Sequence, residues 1–116
     1  MKVNFNVPFT NYKGEAMQKE VEVIRDGKKV VEKQPVLIAD VLAQNLYGGE
    51  GIEKTGNVEK DNENKFKAYK LCHRIFSASG PVDLTPEESV LIKQVRAVSL
   101  TAGAYGQIVE LLEGKE

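Results

Sequence analysis

Cysteine and histidine each occur once in the 116 residues, as the neighbours Cys72 and His73. A lone cysteine forms no internal disulfide, and one Cys with one His falls short of a structural zinc site. The expected compartment is a reducing one, the cytoplasm. An excess of one charge is also lacking: 16 Lys and Arg stand against 17 Asp and Glu, for a formal net charge of −1 and a pI near 5.9. That balance excludes the broadly basic surface from which general nucleic-acid binders draw affinity, so any such contact has to be local. No apolar run approaches the roughly 18 residues of a membrane span. The opening Met1-Lys2-Val3-Asn4-Phe5-Asn6 alternates where a signal peptide would carry an apolar block. The sequence reads as soluble and uncleaved. With 41% hydrophobic residues, it can bury about two-thirds of the surface its unfolded chain exposes, as one domain over 1–116.

Val3, Phe5, Val7 and Phe9 fall on every second position and predict a strand with one buried face. Pro8 donates no hydrogen bond and sets the strand's end or a sheet edge, and Asn11 to Glu15 carry turn chemistry. Two further strands, over 18–25 and 28–33, flank Asp26-Gly27, a pair favoured in two-residue type I′ turns. The expectation is an α+β fold whose residues 1–34 form a three-stranded antiparallel meander. Its wet face would hold Lys19, Glu20, Glu22, Arg25, Lys28, Lys29, Glu32 and Lys33.

From Val36 the period becomes helical. Leu37, Ile38, Val41, Leu42 and Leu46 predict a helix over 36–47, capped by Gly48. Residues 49–62, with three glycines and only Ile52 and Val58 as apolar residues, read as a mobile surface loop. Ala68, Leu71, Cys72, Ile75 and Phe76 form the buried stripe of a helix over 63–79. Thr85-Pro86-Glu87-Glu88 is a capping box that opens a helix over 85–98, with Leu91, Val95 and Val98 inward. A last helix over 101–113 aligns Tyr105, Ile108, Val109 and Leu112. About four helices therefore pack on the meander.

Candidate chemistry fails on spacing. Adjacent helical residues point about 100° apart, so Cys72 and His73 do not face each other, and Cys72 on the stripe reads as a small buried hydrophobe. Gly51 and Gly56 have the glycine spacing of a phosphate loop, but Asn57-Val58 stands where Lys and Ser or Thr are needed. Gly49-Glu50-Gly51 lacks the third glycine of a dinucleotide fingerprint. Asp61 begins a calcium-like run that places Lys65 at a ligand position and Phe66 at the turn glycine. Glu87 and Glu88 have a helix start to serve. The reading contains no catalytic residue, no cofactor and no metal.

Two features remain. Lys67, Lys70 and Arg74 share a helix face at i, i+3 and i+7, beside Tyr69; they suit phosphate, an acidic partner, or the chain's own acidic segment 50–61. Gly103 and Gly106 each cost a helix up to about 1 kcal/mol against Ala, a loss explained by another backbone packing close, in this chain or in a partner. With Tyr105 they form the candidate protein interface.

Several pieces share a layout: the opening Met-Lys-Val-Asn-Phe, Gly14-Glu15, the helix from Val36 to Ala43, Lys67-Ala68-Tyr69-Lys70-Leu71, Val82 to Glu88, and Gly106-Gln107 before Leu111-Leu112-Glu113-Gly114. This layout resembles small proteins of tailed bacteriophages and prophages, departing from them in the charged hairpin and in 49–62. The resemblance implies a phage or prophage origin and action in the bacterial cytoplasm, with virion association left open. It brings no site residues. The resulting expectation is a non-enzymatic protein that binds another protein, or itself, through its helical part. The alternative is a nucleic-acid-binding phage protein using the basic helix 63–79.

Overall fold

The computed structural model describes residues 1–97 and 101–114. In chain order the elements are β1 (Lys2–Val3), β2 (Gln18–Arg25), β3 (Lys28–Pro35), α1 (Ile38–Gly48), α2 (Val58–Ser77), β4 (Val82–Asp83), α3 (Pro86–Ala97) and α4 (Ala102–Leu112). The class is α+β with four helices, as expected. The sheet differs: β1 pairs antiparallel with β4, β2 pairs antiparallel with β3, and no three-stranded meander joins them.

The N-terminal alternation is correct about burial, but the segment pairs with the root of the hairpin only through isolated antiparallel bridges, Pro8 with Leu37 and Thr10 with Ala16, and not as a third strand. Val3, Phe5 and Phe9 are buried and Val7 packs against the same core. Beyond Val3 the segment divides its hydrogen bonds: Phe9 donates to Val36 O at 2.9 Å and accepts from Met17 N–H at 2.8 Å at the root of the β2–β3 hairpin, whereas Phe5 and Val7 turn their carbonyls to the start of a helix. The N–H groups of Ile38 and Ala39 donate to Val7 O and Phe5 O at 2.9 Å each. These are first-turn donors with no partner inside α1, and Leu37 at the N-cap provides no side-chain acceptor. Extended carbonyls thus cap α1 in place of a side chain, which leaves residues 5–7 no ladder to offer β2. The same segment is fastened to the end of α2 by Asn6 Nδ2, which donates to Ala78 O at 2.7 Å.

α1 and α2 pack against each other and α3 crosses both. Ile38, Leu42 and Leu46 of α1 meet Ala68, Leu71 and Ile75 of α2, with Ile92 and Val95 of α3 and Ile108 and Leu112 of α4 completing one core. Gly49, one residue past the predicted cap, ends α1 in the left-handed region at φ 71° and donates to Asn45 O. α2 starts at Val58, five residues earlier than the apolar period indicates, because its first turn is polar: Asn57 caps it by accepting from Glu59 and Lys60 N–H. The capping box of α3 is present in both directions, Thr85 N–H to Glu88 Oε1 at 2.9 Å and Glu88 N–H to Thr85 Oγ1 at 3.1 Å. Val98, assigned above to the inner line of α3, lies outside the described residues.

β2 and β3 form the expected hairpin, with Asp26 (φ 51°) and Gly27 (φ 75°) both left-handed as a type I′ turn demands. None of its residues belongs to the core. Val21, Val23 and Val30 lie on one face, in register with Glu32, Val30 and Val23, while Ile24 and Val31 are exposed on the other. An eight-residue strand spans about 26 Å, close to half the molecule's 53 Å long axis. A compact chain of this length has a radius of gyration of about 13 Å; here it is 15.8 Å. The hairpin is an arm, not the floor under the helices.

Candidate functional site

The predicted basic face of α2 is divided by the fold. Lys67 Nζ lies 3.8 Å from Glu87 Oε2, and Arg74 bonds Glu88 and the Asp83 carbonyl. Both cations therefore serve the N-terminus of α3, not the segment 50–61. Burial alone would raise the Glu88 carboxyl, but its bonds from Thr85 and Arg74 outweigh this and hold it below the usual glutamate range. Asp61 in the first turn of α2 is likewise lowered, chiefly by the Thr55 N–H that donates to it at 2.8 Å. Lys70 goes elsewhere, its Nζ 4.9 Å from the Phe66 ring centre.

A different face of α2 is uncovered. Phe66, Tyr69, His73 and Phe76 follow one another at i, i+3, i+7 and i+10, and all four are exposed. Phe66 and Tyr69 stack at 6.2 Å, Tyr69 meets His73 edge-on at 4.7 Å, and Tyr47 of α1 reaches Tyr69 at 6.4 Å. The relative exposures of Tyr47, Phe66, Tyr69 and Phe76 are 71%, 56%, 47% and 68%. At about 200 Å² for a whole aromatic side chain, these four residues together leave on the order of 500 Å² exposed, the Tyr hydroxyls included. Phe76 was expected on the buried stripe. Ile75 is buried as expected, at 1% exposure, and Phe76, one residue and about 100° further round the helix, points outward.

Beside this face an open groove of about 610 Å³ runs between α1 and α2 to the root of the arm. Ala43 and Cys72 form its floor, Tyr47 and Phe76 its walls, with Lys19, Asp40 and Gln44 at its margins. Burial pushes the Cys72 thiol up, which suits the inert small hydrophobe read from the sequence and not a nucleophile.

The other predicted interface also lies apart. A Cβ added at Gly103 or Gly106 would meet nothing within 4 Å, so among the described residues no close approach accounts for either glycine. Tyr105 between them is half-buried. The residue that matters for packing here is Gln107: its Oε1 accepts from Thr10 N–H (2.8 Å) and Thr10 Oγ1 (3.1 Å), and its Nε2 donates to Thr10 O (2.9 Å) and Gly103 O (3.1 Å).

Among the described residues no group of three or more His, Cys, Asp or Glu is placed to hold a metal, and no helix is long and apolar enough to cross a membrane. No family model, curated protein or solved structure matches the chain.

Proposed function

We propose that this chain works by binding another protein through the aromatic face of α1 and α2, without doing chemistry of its own. The observation that carries this reading is the run of exposed rings, Tyr47, Phe66, Tyr69 and Phe76. Aromatic side chains on a rigid helix pair lose little conformational freedom on binding, and they dominate the energetics of protein interfaces. The glycine face of α4 offers no comparable anchor. Nucleic-acid binding by the basic helix is less well supported, since two of its three cations, Lys67 and Arg74, already face Glu87 and Glu88. A phage or prophage origin and action in the host cytoplasm belong to the same proposal.

The test is recovery of a partner from nuclease-treated bacterial lysate by the full chain and by a Phe66→Ala/Phe76→Ala double variant. The variant is expected to melt like the parent, because both rings are exposed, and to lose the partner. A partner retained by the variant, or recovery of nucleic acid alone from untreated lysate, would overturn the reading.

A further inference from the structure

We infer that the aromatic face receives an acidic amphipathic helix of the partner, an inference that rests on the protein-binding reading above. Its basis is charge. From Asn64 to Ser77, α2 contains Lys65, Lys67, Lys70 and Arg74 and not one carboxylate, while Glu63, just before this stretch, lines the pocket on the α3 side with Lys67 and Arg74. Lys67 and Arg74 are turned toward α3, which leaves Lys65 and Lys70, both exposed, beside the rings. Lys19 stands at the end of the groove, and Asp40 is the one carboxylate among the residues that line it.

This distribution disfavours covering the surface with a copy of the same chain. A two-fold contact through this face would gather Lys65 and Lys70 of both copies into one interface, where Asp40 is the one carboxylate of the groove lining. The valine face of the arm fits no better, because it carries Lys19, Arg25 and Lys28 against Glu32 alone, and Arg25 already pairs with Glu32. Both open apolar surfaces are positively rimmed, so they repel each other and attract carboxylates.

Shape selects a helix over a strand. The edge of β3 carries Lys28, Lys29 and Lys33 and ends in Pro35, features that discourage an added strand. Between α1 and α2, by contrast, the buried Ala43 and Cys72 and the exposed Tyr47 and Phe76 line an open groove, along which the side chains of a third helix can pack. The ten helical steps from Phe66 to Phe76 extend about 15 Å, roughly three helical turns.

The experiment uses the full chain, isotope-labelled for amide NMR, and two synthetic helical peptides of equal length with the same leucine and phenylalanine stripe. One carries Glu at every other position and its counterpart carries Lys; a single-stranded oligothymidine is the third probe. The Glu peptide is expected to shift amides of α2 around Phe66 to Phe76 and of α1 around Ala43 to Tyr47. Its affinity should exceed that of the Lys peptide by about tenfold or more and fall about tenfold in Lys65→Glu/Lys70→Glu. Equal binding of the two peptides on this face overturns the charge assignment and leaves a protein-binding face standing. So does saturating self-association through the same amides. Failure of the Glu peptide to bind overturns the inference, and occupation of the face by oligothymidine overturns it together with the reading beneath it.

Discussion

Gln107 uses both ends of its amide to tie the last helix to a residue ninety-seven positions earlier, and no apolar period marks it. Gln107→Ala leaves the N–H and C=O of Thr10 without that partner at a part-buried position. The expected loss is about 1–3 kcal/mol, read from the denaturant midpoint; an unchanged midpoint would show that water replaces the amide at no cost. Glu88 makes a second single-residue case. Its carboxyl is lowered in the folded chain, so the stability it contributes is present above the ordinary glutamate value of about 4.3 and is lost as pH falls through its lowered folded value. Urea midpoints taken between about pH 6 and pH 3 should decline less steeply in Glu88→Gln than in the parent. Parallel curves would remove Glu88 from the acid response. The capping box itself was visible as Thr85-Pro86-Glu87-Glu88, because its bonds span three residues; the Arg74 that reaches it from α2 was not.

At the scale of elements, α4 carries two glycines that no close approach among the described residues requires. Gly106 is helical, and a Cβ there meets no atom within 4 Å. Gly106→Ala is therefore expected to stabilise the protein by about 0.5–1 kcal/mol, measured by thermal or urea unfolding; destabilisation would mean that a contact the glycine permits has been lost. The helices were legible wherever apolar residues recur with helical spacing, as in Leu42, Leu46, Leu71 and Ile75. The start of α2 was hidden because Asn57 and the polar turn after it act by capping, which leaves no period to count. The second stripe on α2, Phe66, Tyr69, His73 and Phe76, stood in the sequence at helical spacing. Assigning Phe76 to the core concealed it, since two stripes on one helix look the same until a neighbour covers one of them.

For the molecule as a whole, the arm is the part that local pattern misplaced. A two-stranded ribbon alone is marginal in water, and this one shares no residue with the core. Replacing Gln18 to Pro35 with a short glycine linker should leave the helical body folded, with an unfolding free energy within about 1 kcal/mol of the parent. X-ray scattering should show the radius of gyration falling from 15.8 Å toward the roughly 13 Å of a compact chain. Collapse of the body would show that the arm carries core energy after all. Amide exchange offers an independent check: protons of β2 and β3 should exchange well before those of Leu42, Leu71 and Ile92, which open only with the whole core.

The sequence by itself determined the four helices, the Asp26-Gly27 turn, the α3 cap and the burial of Val3, Phe5 and Phe9. Each of these depends on residues close along the chain, through a period, a cap or a left-handed φ. Tertiary structure alone decided that Phe5 and Val7 cap α1, that β1 joins β4, that Lys67 and Arg74 turn to α3, and that the rings of α2 stay open. Those outcomes depend on which of several competing donors, acceptors and apolar faces are brought together in the folded chain. Such competition is settled by the packing of the whole core, and no local pattern encodes it.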